Sequence, residues 1–346
     1  MRIDVHSHVY LPRYLDMLRA RTVVPRVADS PTGPRLIILP GEDTEASTGA
    51  GRPIGGEYVE PQRKIAYMDA HDIDISVISL ANPWLDFLGA DEAVPLARAL
   101  NDDLEQLCAE SRGRLFGFGV LPLHAPAAAA AELRRIATLP HLRGAIIGAS
   151  MTGTTLDDPS FDVLWEAAEE TGQFLFVHPH HGVGNEGFHG TGHALFLALG
   201  FTFETTTAIA RLILAGVLER FPGLKLLVSH AGGTIPFLAG RLDSCVATDA
   251  HMVGRLPQPP SYYIKRLYFD AIGYHTPALQ CVIDLAGADR LMFGTDHPFF
   301  TPLDRSGDID RKAWAVATEN SAAIDQLPAP IAADIFAGNA QRLLRL

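Results

Sequence analysis

Two stretches decide how this chain is read: Met1-Arg-Ile-Asp-Val-His6-Ser-His8 at one end and Leu291-Met-Phe-Gly-Thr-Asp296-His-Pro near the other. Each is a short apolar run that stops in ligand-type side chains. Alternate residues of a strand point the same way, so His6 and His8 share one direction. Two imidazoles at the mouth of one strand, with a carboxylate at the mouth of another, predict a divalent metal site. Asp4 shares the His6 direction. It is placed either to orient an imidazole or to bond main chain as a buried carboxylate.

Outward from these ends, strand-like and helix-like segments alternate. The predicted strands are Arg2–Val5, Asp74–Leu80, Leu115–Leu121, Gly144–Ile147, Phe174–His178, Leu224–Ser229, Arg266–Asp270 and Leu291–Gly294. Most are unbroken runs of Val, Ile, Leu and Phe, as parallel strands buried on both faces require. Helical stretches lie between them at Asp91–Glu110, Ala125–Thr138, Pro159–Thr171, Glu204–Arg220, Ile235–Cys245, Pro277–Ala286 and Ala313–Ile324. This alternation predicts a single (β/α)8 barrel over 1–346 rather than an open doubly wound sheet. The candidate ligands decide between the two. They fall at the ends of the first, fifth, sixth and eighth strands, which ring one mouth in a barrel but spread across an open sheet. Arg21–Glu60 is rich in Pro and Gly and reads as an irregular insertion, a lid or interface arm. His180–Gly200 follows the fifth strand, where a substrate loop belongs.

The 346 residues carry a formal net charge of −12, which argues against nucleic acid or an anionic membrane as partner. Cys108, Cys245 and Cys281 are scattered and unlike a zinc cluster, which fits a reduced, cytoplasmic setting. The first residues read as a strand rather than a basic-then-apolar leader. The apolar run Ala127 to Ala131 is too short to span a bilayer.

His178 ends the fifth strand and is favoured as a third ligand over His180 and His181, which begin the loop. His230 ends the sixth strand before Ala-Gly-Gly and can be a ligand, a proton shuttle or a substrate contact. Asp296 can be ligand and proton carrier at once, and the flanking His297-Pro298-Phe299-Phe300 suits a planar ligand better than a plain helix cap. Three imidazoles and a carboxylate with an open position describe a catalytic mononuclear site for zinc, with manganese also permitted. A binuclear barrel would need a bridging lysine at a strand end. None of Lys64, Lys225, Lys265 and Lys312 sits there, so one metal is expected. A flat anionic substrate makes Arg241 and Asn82 candidate contacts.

His6-Ser-His8, Phe176-Val-His178-Pro, Glu204-Thr-Thr, Phe221-Pro-Gly-Leu-Lys, Ser229-His230-Ala-Gly-Gly and Gly294-Thr-Asp296 together resemble the amidohydrolase superfamily, in its decarboxylase branch. Finer stretches resemble the isoorotate (uracil-5-carboxylate) decarboxylases of that branch. These are Ser79-Leu-Ala-Asn-Pro-Trp-Leu-Asp-Phe-Leu, His178-Pro-His-His-Gly, Leu197-Ala-Leu-Gly-Phe, Pro236-Phe-Leu-Ala-Gly-Arg and Gly287 to Phe300. The resemblance implies that His6, His8, His178 and Asp296 bind zinc. It also implies that Asn82, His230, Arg241 and Phe299 contact substrate. It further implies a homodimer or homotetramer, with Arg241 reaching a neighbouring subunit's site. The expected reaction releases CO2 from uracil-5-carboxylate. The alternatives are a hydroxybenzoate such as 2,3-dihydroxybenzoate or γ-resorcylate as substrate, or hydrolysis of a lactone or cyclic amide.

Overall fold

A computed structural model of the chain describes residues 1–31, 33–38, 51–301 and 314–346. Eight strands form one sheet in sequence order: β1 (Ile3–Val9), β2 (Ile75–Leu80), β3 (Leu115–Val120), β4 (Leu142–Gly148), β5 (Phe174–His178), β6 (Lys225–Val228), β7 (Tyr268–Asp270) and β8 (Leu291–Met292). Every neighbouring pair is parallel. The sheet closes where the chain after β8 returns to β1. Val5 N donates to Phe293 O at 2.9 Å, Asp296 N to His6 O at 2.8 Å and His8 N to His297 O at 2.7 Å. Helices lie between the strands in the chain, so the expected (β/α)8 barrel is the observed fold.

The strands are buried along nearly their whole length, with Phe116 and Arg143 half-buried near two of their starts, because both of their faces are covered. In the barrel interior the Phe176 ring lies 5.6 Å from that of Phe118 and 4.8 Å from that of His6. The apolar filling thus reaches up to the first imidazole. Gly294 is small because it must be: a Cβ there would lie 2.9 Å from the Cβ of His6.

Several boundaries differ from expectation, for local reasons. β1 runs on to Val9, carrying His6 and His8 inside the strand, and its pairing with β2 shifts register between Asp4 and Ser7. Such a bulge re-aims side chains beside a site. β8 is only Leu291–Met292, because the next residues leave regular geometry as Asp296 turns into the left-handed region at φ 58. The helix expected over Glu204–Arg220 starts earlier, with a π-helical turn at Phe196–Gly200 leading into Phe201–Leu214. It breaks at Gly216, φ 72, and resumes at Val217–Arg220. Pro159–Phe161 is a 3-10 turn ahead of the helix Asp162–Thr171. The last expected helix runs Ala315–Asp325, and its predicted first residue, Ala313, lies outside the described residues, as does Lys312.

Arg21–Glu60 is not simply irregular. It holds an antiparallel sheet of Arg26–Ser30, Gly33–Ile37 and Arg52–Pro53, then a short helix, Gly56–Val59. Residues 32 and 39–50 of that segment lie outside the described residues. The helices Pro12–Arg19 and Pro61–Ala70 were not expected; each starts on a proline, a residue suited to the first helical turn. One segment, Phe196–Leu214, is long and apolar enough by length and composition to cross a membrane. Here its Phe201, Glu204, Thr205, Ala208, Ile209, Leu212 and Ile213 are buried within the barrel fold.

Candidate metal centre

His6, His8, His178 and Asp296 converge, with one donor atom from each lying within 4.8 Å of the others. His6 Nε2 and His8 Nε2 are 2.9 Å apart. Asp296 Oδ1 is 3.3 Å from the first and 3.2 Å from the second. His178 Nε2 is buried and has no hydrogen-bond partner among the described residues.

The far side of each ring explains why these nitrogens point inward with lone pairs. His178 Nδ1 lies 2.8 Å from Pro179 O, which can only accept, so Nδ1 carries the proton. His6 Nδ1 lies 2.7 Å from Asp270 Oδ2, a carboxylate acceptor. His8 Nδ1 is 3.0 Å from Ser79 Oγ. In the neutral form that can bind a metal, Nε2 is therefore the bare nitrogen of both His6 and His178, and the Ser79 hydroxyl can accept from His8 in the same sense. This is how partners outside a metal site prepare its ligands.

The electrostatics call for one positive charge at this point. Burial opposes a charge on His6, but Asp296 and Asp270 outweigh it and push the imidazole up to about 10. Burial, helped by the His6 charge, lowers His8 to about 4 against the pull of Asp296. Burial and the neighbouring imidazoles hold His178 well below the usual histidine range. Burial alone would raise Asp296. His6, with hydrogen bonds from His230, His6 and His8, instead holds its carboxyl well below the usual carboxylate range. A buried anion, two neutral imidazoles and a crowded third form a donor set that fits a divalent ion such as zinc or manganese.

Asp4 does not orient an imidazole. Its Oδ1 accepts from His6 N and Thr295 N at 3.0 and 3.1 Å, and its Oδ2 from Thr295 Oγ1 at 2.7 Å. Asp270 takes the orienting role instead. It also accepts from the main-chain N–H groups of His230, Ala231 and Ile272, each at 3.0 Å. His230 and Ala231 both have positive φ, 55 and 52. Asp270 thus secures the tight turn that presents His230, whose Nε2 lies 3.7 Å from Asp296 Oδ2.

His178, His230, Asp296 and Phe299 line a cavity of about 420 Å³ whose other walls include Leu197, Phe201, Ile272 and Tyr274. A second cavity of about 220 Å³ shares Leu197, Phe201 and Phe299 and adds Asn82, His180 and Arg52. Asn82 Oδ1 accepts from Arg52 Nη1 at 3.1 Å, and Asn82 O accepts from Arg52 Nη2 at 3.0 Å. The Arg52 guanidinium also stands 4.6 Å from the centre of the Phe299 ring and bonds the Tyr10 hydroxyl. Arg52 lies in the insertion strand Arg52–Pro53 and was missed by sequence reading, because nothing local sends that strand to the barrel mouth. Arg241 is exposed on the helix Ile235–Thr248 and lines neither cavity. Lys64 is the unexpected buried amine, lowered to about 7 by burial. It sits on the helix Pro61–Ala70 and bonds Ser7 Oγ at 2.8 Å and His8 O at 3.0 Å, behind β1 rather than between ligands.

A family model described as amidohydrolase matches residues 3–346. A 2-amino-3-carboxymuconate-6-semialdehyde decarboxylase of Dictyostelium discoideum is 31% identical over 250 residues, covering 72% of this chain and 69% of its own. A gamma-resorcylate decarboxylase of Rhodococcus jostii is 31% identical over 258 residues, 68% of this chain and 76% of its own. Among solved structures, the apo form of Metarhizium anisopliae IDCase superposes with a TM-score of 0.93 at 39% identity, covering 100% of this chain and 97% of that one. A 5-carboxyvanillate decarboxylase of Novosphingobium aromaticivorans, complexed with manganese and a nitrobenzoic acid, superposes with a TM-score of 0.78 at 26% identity, covering 100% and 96%. This chain belongs to the amidohydrolase superfamily, in its metal-dependent decarboxylase branch, and is a carboxy-lyase.

Proposed function

We propose that the chain releases CO2 from uracil-5-carboxylate. The polar corner at Asn82 and Arg52 supports the pyrimidine, and the observation that carries the decarboxylation is the division of labour on Asp296. Its Oδ1 faces the histidine nitrogens, while its Oδ2 faces His230. One oxygen is placed to ligate and the other to move a proton.

The obstacle in aromatic decarboxylation is the ring carbanion left by departing CO2, which no side chain stabilises well. Protonating the ring carbon first avoids it. His6, His8, His178 and Asp296 would hold a divalent ion, which would supply a Lewis acid for the anionic end of the substrate. His230 hands a proton to Asp296 Oδ2, and Asp296 delivers it to C5. The bond from C5 to the carboxyl carbon then breaks, its electron pair returns to the ring, and uracil and CO2 result. Phe299 packs on the ring. Asn82, steadied by Arg52, reads the polar edge of the pyrimidine. That corner suits a heterocycle, because a pyrimidine offers it ring N–H and C=O groups where a hydroxybenzoate offers C–H groups and at most a hydroxyl. The likeness to IDCase, an isoorotate decarboxylase, supports the same substrate. Arg241, exposed on its helix, serves the cavity of a neighbouring copy in a homodimer or homotetramer and pairs there with the anionic substrate. A small-molecule enzyme of this kind, with its cysteines free, belongs in the cytoplasm.

A second reading is a hydroxybenzoate as substrate. The larger cavity is mostly apolar, with Leu197, Phe201, Ile272 and Phe300 on its walls, and gamma-resorcylate decarboxylases are among the relatives. A carboxylate beside a ring hydroxyl presents the same anionic end. Metal-replete enzyme incubated separately with uracil-5-carboxylate, γ-resorcylate and 2,3-dihydroxybenzoate, with products followed by chromatography, decides between them. Uracil formation is expected. Its absence, with turnover of either benzoate, rejects the heterocyclic substrate.

A further inference from the structure

A second group of ligand-type side chains stands beside the first. Asp86, His180 and His181 each offer a donor atom within 4.8 Å of the other two. Asp86 belongs to the loop after β2, the two histidines to the loop after β5. Asp86 is 9% exposed, and its Oδ2 has no hydrogen-bond partner among the described residues. Neither has the buried Nε2 of His181. A buried polar atom without a partner is costly to keep, and one cation would satisfy both Asp86 Oδ2 and His181 Nε2.

The surroundings hold these groups in place. Glu204 Oε2 accepts from His180 N at 2.9 Å and from Gly182 N at 2.6 Å, clamping the main chain on either side of His181. Asp86 O accepts from His124 Nε2 at 2.7 Å. The floor is Gly148 at the end of β4, where a Cβ would come within 3.5 Å of Asp86 Oδ2. Trp84 separates the two clusters, its ring 5.7 Å from that of His178 and 5.5 Å from that of His180.

We propose that Asp86, His180 and His181 form a second divalent-cation site, distinct from the first, for a transition ion of the zinc class. Two imidazoles and one carboxylate leave open positions that water completes. Because Asp86 comes from the loop after β2 and both histidines from the loop after β5, an ion here ties the two loops together, and binding through His180 Nδ1 replaces the 3.3 Å contact from Asn82 Nδ2. The inference rests on the loop geometry and not on the substrate.

The test is metal stoichiometry. Full-length protein is stripped with chelator, dialysed to equilibrium against zinc, and its metal content measured by elemental mass spectrometry. Two equivalents per chain are expected. Asp86→Asn and, separately, His181→Gln should each hold one, with circular dichroism confirming the fold. Asp296→Asn should lose the other equivalent, so failure at one site is read apart from failure at the other. One equivalent in the unaltered chain, or two retained in both the Asp86→Asn and the His181→Gln proteins, overturns the proposal.

Discussion

Asp270 receives three main-chain N–H groups and the Nδ1 proton of His6, so one buried carboxylate sets both an imidazole and the turn carrying His230. Burial would raise it, but the bond from His6 and the neighbouring charges keep it below the usual carboxylate range, hence charged and accepting. An amide at this place has a single acceptor oxygen and turns an NH2 toward donors. Asp270→Asn should therefore weaken metal binding about 10- to 100-fold, the usual cost of losing a ligand's orienting partner. Competition against a chromogenic chelator measures this, and unchanged affinity would reject the role. Asp296→Asn should remove turnover while substrate still binds to the remaining contacts, read by calorimetric titration. Full turnover in that protein would strike Asp296 from proton transfer.

At the scale of elements, the loop after β5 is held by a helix that follows it. Glu204, in the first turn of Phe201–Leu214, reaches back to the His180 and Gly182 N–H groups and to the Ser150 hydroxyl. Bonds to a charged acceptor contribute about 1.5–3 kcal/mol. Glu204→Gln should cost that order of stability in urea melts and speed hydrogen exchange at 180–182. An unchanged exchange rate there would show that the loop is held by something else. The insertion works in the same way from the other side. Its last strand, Arg52–Pro53, places Arg52 against Asn82 and Phe299. Local sequence gave only Pro and Gly for that stretch, because its short strands answer to one another and to the barrel rim.

Across the whole molecule, a cation that binds only the folded chain stabilises it. A site present at a hundred times its dissociation constant adds about 2.7 kcal/mol. Chelation should therefore lower the melting temperature by several degrees, and returning zinc or manganese should restore it. A melting curve indifferent to chelator would show that no bound ion supports the fold. The barrel was legible in the chain alone, since eight buried apolar runs alternating with helices have few other solutions, and so were His6, His8, His178 and Asp296 as candidate ligands at strand ends, with His230 left open beside them. Those signals are local: a period, a run, a terminus. Tertiary structure alone decided that Asp270 rather than Asp4 orients His6, that Arg52 reaches the cavity, and that Arg241 does not reach it within its own chain. Each of those depends on where separate loops meet around the closed mouth, a distance that no stretch of neighbouring residues encodes.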